Sequence, residues 1–245
     1  MRIIFCQLFI TKGYVMRATI LALLIGCLGW IDTSAQEWKN IPDAPHRKSV
    51  VKLKGSNMVE GSGVVIKKIK DSDQHEGYYL GLILTASHCV KDLSILFEVE
   101  FFNGAKTLRN RPVKDLPNDI DPDNDIAVIR ALIPKEVTVI PLSTESLKCN
   151  DKVILSGYGA GEVRHWEAKY GGRKLLSQGH LIFSWGIQGD SGGPVVHNGK
   201  VVGIICYGSG IRQLNSGRIV ICPVHASNVS RIKSYIDGYK EEEIS

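Results

Sequence analysis

Short apolar runs recur along this chain between clusters of Gly, Pro, Asn and Asp, and that rhythm predicts β-strands rather than helices. Residues 49–53, 63–67, 79–85, 95–102 and 126–130 form a first group of such runs, and residues 153–158, 175–183, 194–197, 200–207 and 218–224 a second. In Phe97-Glu98-Val99-Glu100-Phe101 apolar and acidic positions alternate strictly, giving a strand one buried and one wetted face. The stretch VVHNGKVV sets Asn198-Gly199 between apolar pairs, the signal of a type I′ hairpin whose two central residues need positive φ. Residues 67–79, charged at their centre, read as an exposed hairpin tip. Only the end of the chain departs from this pattern: Val229, Ile232, Ile236 and Tyr239 fall at helical spacing, with Ser227 as the expected N-cap. The expected fold is all-β, two antiparallel strand groups followed by a C-terminal α-helix.

Composition narrows the class. The chain has 245 residues, 44% apolar and 22% charged, a balance that excludes disordered and fibrous proteins. Met16-Arg17, the apolar run 18–31 and then Thr33-Ser34-Ala35 read as an export signal spanning residues 1–35, so the mature protein is expected to be periplasmic or secreted. A buried helix or a membrane anchor competes with this reading, but the run is short of the roughly 20 apolar residues that a spanning helix needs. LIGC, residues 24–27, also resembles a bacterial lipobox, which would leave lipid on Cys27; apolar Leu28, Trp30 and Ile31 are unlike the polar tether such proteins carry. No membrane association is expected after cleavage unless Cys27 is lipidated, and the mature chain is expected to be a monomer.

The formal net charge of +5 falls to +3 when the signal takes Arg2, Lys12, Arg17 and Asp32 with it, too weak and scattered a charge to recruit nucleic acid. The same cleavage removes Cys6 and Cys27 and leaves Cys89, Cys149, Cys206 and Cys222. Cys206 and Cys222, in neighbouring apolar runs, are the expected disulfide, with a pair of buried thiols as the equal alternative.

Hydrolysis of an amide at neutral pH needs an activated nucleophile, a base, a group that orients the base, and donors for the oxyanion. LTASHCV, residues 84–90, ends an apolar run with His88; DNDIAVI, residues 123–129, opens another with Asp125; QGDSGGPVV, residues 188–196, sets Ser191 between an acid and two glycines. The other histidines have no such context and read as ordinary core or surface residues. The acidic run around Asp119, Asp121 and Asp123 fails as a calcium loop: Asn124 stands where glycine is wanted and Arg130 where a bidentate Glu is wanted. No metal and no cofactor is expected.

In the order His, Asp, Ser, these stretches resemble the trypsin-chymotrypsin family of serine peptidases, whose signatures are Thr-Ala-x-His-Cys, Asp-Ile-Ala and Gly-Asp-Ser-Gly-Gly-Pro. The resemblance covers roughly residues 48–238. It implies two six-stranded antiparallel barrels, residues 48–145 and 146–238, that form one peptidase domain with the active site between them. It also implies that Ser191 attacks the scissile carbonyl, His88 moves the proton, Asp125 orients His88, and the N–H groups of Gly189 and Ser191 stabilise the oxyanion. The substrate would be a protein or peptide. The short His-to-Asp and Asp-to-Ser spacings are similar to those of the bacterial glutamyl endopeptidases and high-temperature-requirement proteases, without the PDZ domain the latter carry. A catalytically silent binding module and an esterase-like hydrolase are the alternative readings; the intact triad argues against the first.

Departures from the family raise specific questions. The animal members pair the cysteine at Cys89 with one on the strand holding Gly61 to Val64, and none is there, so Cys89 is expected to be unpaired or unusually bridged. Where the family has a serine near the triad Asp, this chain has Cys206, followed by Tyr207 and Gly208 on the strand that would pair with substrate backbone. The pocket floor would be Trp185, which does not support a preference for Arg or Lys; Arg218, near a third pocket wall, would favour an acidic side chain unless it is a surface residue. Asp190, beside the nucleophile, would be costly if buried alone. Its expected partner is internal, a Lys, Arg, His or backbone amide, with no activating cleavage.

Overall fold

The computed structural model describes residues 41–55, 60–73, 75–90, 97–109, 120–121, 125–173, 180–184, 186–207, 211–213, 219–221, 224–229 and 233–238. The expected signal region, residues 1–35 with Cys27, and Trp185, Gly208, Arg218, Cys222, Ile232 and Tyr239, lie outside them.

The described chain is β-structure throughout, in two curled antiparallel sheets. Strands β1 (Val50–Gly55), β2 (Glu60–Asp71), β3 (Tyr78–Thr85), β4 (Phe97–Glu100), β5 (Lys106–Arg109), β6 (Ile120–Asp121) and β7 (Ile126–Pro134) make the first, in the order β5-β4-β1-β2-β3-β7-β6. It curls until β5 lies against β7. The second sheet is a closed barrel, β10-β15-β12-β11-β8-β9, built from β8 (Lys152–Gly157), β9 (Arg164–Arg173), β10 (His180–Phe183), β11 (Pro194–His197), β12 (Lys200–Tyr207) and β15 (Val224–Asn228). A small ribbon pairs β13 (Ile211–Gln213) with β14 (Ile219–Ile221).

This is the expected double-barrel architecture, with one more strand in the first sheet than the resemblance implied. The acidic segment supplies that strand: β6 pairs with the start of β7 at Ile120↔Ala127 and Asp121↔Ile126. Asn198 and Gly199 have φ of 48° and 72°, as the I′ turn between β11 and β12 demands. The β2–β3 hairpin closes within the charged stretch, where Ser72 N–H bonds Tyr78 O.

Period-two side-chain alternation explains why the strands read as continuous apolar runs. In β3 and β7, Leu82, Leu84, Ile126 and Val128 face a core cluster shared with Val196, Val201 and Ile204 of the second barrel. Ile83, Ala127, Ile129, Ala131 and Ile133 point the other way, into the first sheet's own interior with Val51, Val99 and Phe101. Both faces of these strands are buried, so no polar face is visible. The second barrel is filled by Val153, Leu155, Trp166, Tyr170, Ile182, Val195 and Ile205.

Among the described residues the C-terminal helix, α1, covers Lys233–Gly238, and Ser227 lies in β15 rather than at its N-cap. The apolar periodicity holds in space, because Val229 and Ile236 both enter the shared core. Residues up to Asn228 are drawn instead into ladder bonds with β12, since an edge of the barrel must be paired there. Strands β5, β6, β9, β13 and most of β15 escaped the sequence reading, being short, interrupted by charge and glycine, or read as the approach to the helix.

Candidate active site

His88 sits on a single 3-10 turn, Ser87–Cys89, directly after β3, and Asp125 stands immediately before β7. Strands β3 and β7 are register partners at Thr85↔Ala127, which sets the two residues at one end of the sheet. His88 Nδ1 lies 2.7 Å from Asp125 Oδ2. Because a carboxylate only accepts, Nδ1 carries the proton and Nε2 is left as a base. The other carboxylate oxygen, Oδ1, accepts the His88 main-chain N–H at 2.9 Å and the Ser87 hydroxyl at 2.8 Å. Asp125 adopts φ 53°, a left-handed conformation that Asp tolerates better than most residues. Burial pushes the Asp125 pKa up, but the hydrogen bonds from His88 and Ser87 outweigh it and hold the carboxyl below its ordinary value. The Asp125 hydrogen bond first, and the adjacent Cys89 thiol second, drive His88 up to about 10 against the lowering effect of burial.

Ser191 comes from the turn between Gly189 and Gly193. Its hydroxyl is directed at Cys206 O, 3.5 Å away, and makes no hydrogen bond to His88 among the described residues. The backbone brings the two sides together: Ser191 O accepts the Ser62 N–H at 2.7 Å and lies 3.5 Å from the Cys89 thiol. Gly189 has φ 98° and Gly192 φ 83°, conformations suited to glycine. Space excludes anything larger, since a Cβ at Gly193 would lie 1.9 Å from Ser156 O. Asp190 N–H is used on Ile187 O. Among the described residues no acceptor meets the N–H of Gly189 or Ser191, so the turn presents two open donors.

Asp190 has 0% exposure, and its internal partner is Arg164, whose guanidinium donates to Oδ2. The amides of Ile187 and Gly159 add bonds of 2.9 Å to Oδ2 and Oδ1. Arg164 opens β9 opposite Gly157 of β8. A Cβ at Gly157 or Gly159 would fall 2.7 or 2.5 Å from Asp190 Oδ1, so these glycines make room for the acid. Burial pushes the Asp190 pKa up, and the two amides and Arg164 act against it.

Ser62 was not legible as a site residue. From β2 its hydroxyl donates to Gly189 O at 2.6 Å and accepts Tyr158 N–H at 2.8 Å, clamping the turn that carries Ser191 between the two sheets. Nothing in a small residue within a glycine-rich strand announces this; it depends on which strand crosses the turn.

Of the expected Cys206–Cys222 pair, Cys222 lies outside the described residues, and the buried Cys206 sulfur lies 3.3 Å from Ile204 O and 4.0 Å from Asp125 O. Facing inward at the end of β12, it fills core space beside Asp125. Cys89 is free as expected. Of the specificity residues, Tyr207 ends β12 and pairs with His225; Trp185, Gly208 and Arg218 lie outside the described residues.

A second serine–histidine group lies behind the turn that carries Ser191. Ser156 Oγ is 2.7 Å from both His46 Nε2 and His165 Nδ1, and the two rings meet edge to face. Ser156 is fully buried, so no substrate reaches it, and the group instead ties residues 41–49 to the second barrel. Burial depresses both histidines to about 4.

A family model described as Trypsin matches residues 79–234. Serine protease 1 of Homo sapiens is 30% identical, the match covering 54% of this chain and 68% of that protein. Among solved structures, the serine endoprotease from Yersinia pestis superposes with a TM-score of 0.59 at 17% identity, covering 81% of this chain and 68% of that one. The active form of the Rv3671c protease from M. tuberculosis superposes with a TM-score of 0.55 at 21% identity, covering 80% and 84%.

Proposed function

Because the chain belongs to the trypsin family and is a serine-type peptidase, we propose that it is an exported endopeptidase that cleaves proteins or peptides through an acyl-enzyme on Ser191. The observation that carries the assignment of roles is the 2.7 Å bond from His88 Nδ1 to Asp125 Oδ2, which leaves Nε2 as the only basic atom of the ring. In the first half-reaction Ser191 Oγ turns from the Cys206 carbonyl toward His88, gives up its proton to Nε2 and attacks the scissile carbonyl. The bond to His88 tightens only when substrate is present, a common property of catalytic hydrogen bonds. The imidazolium, held by Asp125, then protonates the leaving amine. In the second half-reaction water repeats the attack on the acyl-enzyme. The open N–H groups of Gly189 and Ser191 receive the oxyanion in both halves, and losing one such donor typically costs about 2.7–4 kcal/mol of transition-state stabilisation.

Export rests on the run 18–31 and the Thr33-Ser34-Ala35 site, which argue for a periplasmic or secreted enzyme, with a lipid-anchored form through Cys27 as the alternative. Incubation with a fluorophosphonate probe, beside a Ser191→Ala control, tests the mechanism. Labelling of the wild type alone is expected; labelling of neither would refute the catalytic assignment.

A further inference from the structure

Among the described residues, the hydrogen bonds to the Asp125 carboxylate all come from one 3-10 turn. His88 supplies its ring and its main-chain N–H, and the third donor is the hydroxyl of Ser87, a residue only 4% exposed. The carboxylate itself is 12% exposed, so solvent contributes little to holding it. The nearby Cys206 thiol reaches the main-chain oxygen of Asp125 at 4.0 Å. A carboxylate is two-fold symmetric about its Cβ–Cγ bond, and its torsion there is soft. Two donors on Oδ1 break that symmetry and leave Oδ2 as the oxygen that meets His88 Nδ1. The main-chain N–H is one donor, and the Ser87 hydroxyl doubles the hold on Oδ1 of a residue that stands just before β7 at a left-handed φ of 53°.

We propose that Ser87 is a positioning residue of the peptidase reaction, its hydroxyl fixing the Asp125 carboxylate and, through it, the tautomer and tilt of His88. The inference rests on the triad reading above and adds a residue to it. Ser87 touches neither substrate nor the nucleophile; it acts through Asp125 alone. Loss of the hydroxyl has two consequences. The carboxylate gains rotational freedom, so fewer encounters find His88 aligned for proton transfer. With one donor fewer on Oδ1, the negative charge concentrates toward the imidazole, so the ring holds its proton to higher pH.

The test uses the full chain and a fluorogenic peptide that the wild type cleaves, with Ser87→Ala, Ser87→Thr and Ser87→Cys compared at matched thermal stability. For Ser87→Ala, kcat is expected to fall about ten-fold with KM within about two-fold, the split of an interaction made in the transition state. The acid limb of kcat/KM is expected to move up by about half a pH unit. Ser87→Thr, which keeps a hydroxyl, restores kcat; Ser87→Cys, close in shape and weaker as a donor, falls between. Wild-type kcat and pH profile in Ser87→Ala overturn the proposal. If Ser87→Ala does not fold, wild-type kinetics in Ser87→Cys overturn it instead. An inactive, unlabelled wild type would defeat the triad reading itself, an outcome visible before any Ser87 variant is made.

Discussion

The guanidinium of Arg164 donates to Oδ2 of Asp190, a residue with no solvent exposure, directly behind the nucleophile turn. The pairing joins the start of β9 to the residue before Ser191, and the open amides of Gly189 and Ser191 flank the same acid. A buried charge deprived of its partner typically costs about 3–5 kcal/mol. Arg164→Met is expected to destabilise the protein by about that much in urea unfolding and to abolish peptide hydrolysis by loosening the turn. Since the partner is internal, the enzyme is also expected to be fully active without a cut that creates a new N-terminus. Activity appearing only after such trimming, read by N-terminal sequencing, would contradict this.

The pH dependence of catalysis follows from His88. Asp125 and then Cys89 push its pKa up to about 10, while the 43% exposure of the ring lets solvent screen part of that interaction. The acid limb of kcat/KM is therefore expected above the ordinary histidine value of about 6.5. Cys89→Ala removes the second contribution and should move the limb to lower pH. In stability the same pairing acts fully below the unfolded value and fades as pH rises through the folded one.

Acid stability is set elsewhere, by His46 and His165. Both are neutral when folded, with pKa values of about 4. Unfolding lets each take up a proton at about 6.5, so their contribution is intact above that pH and is lost as pH falls from 6.5 toward 4. Circular dichroism across this window should show stability falling in wild type and a flatter profile in His165→Gln. Equal profiles would mean that these rings do not control acid unfolding.

Gly61 offers a disulfide. A Cβ built there falls 2.7 Å from Cys89 Sγ and 3.1 Å from its Cβ, close to bridging geometry. Gly61→Cys is expected to oxidise with Cys89, seen as a loss of two free thiols on titration, and to stabilise the protein by about 3–4 kcal/mol for a loop of this length. Two persistently reactive thiols would show that the strands cannot give the few tenths of an ångström required.

Most strand positions, the I′ turn and the three candidate catalytic side chains were legible because each is written locally. Apolar runs carry period two, Asn198-Gly199 supplies two positive φ angles, and His88, Asp125 and Ser191 stand in short motifs at strand ends. The C-terminal helix was overextended for a related reason: Val229 and Ile236 do share a buried face, but apolar spacing cannot distinguish a helix from a strand end that enters the same core. Strand β9 was missed because Arg164, His165 and Glu167 are polar in sequence and gain their meaning only from Asp190, Ser156 and the barrel wall.

The sequence by itself determined the all-β fold, most of its strand positions and the candidate triad, since these follow from periodicity, turn chemistry and reactive residue types. Tertiary structure alone decided that Arg164 neutralises Asp190, that Ser87 and His88 together hold Asp125, that Ser62 clamps Gly189, and that the Cys206 side chain is buried beside Asp125. Each of these joins residues distant in sequence, or depends on which way a side chain faces, and both are settled only when strand register and barrel closure bring the elements together.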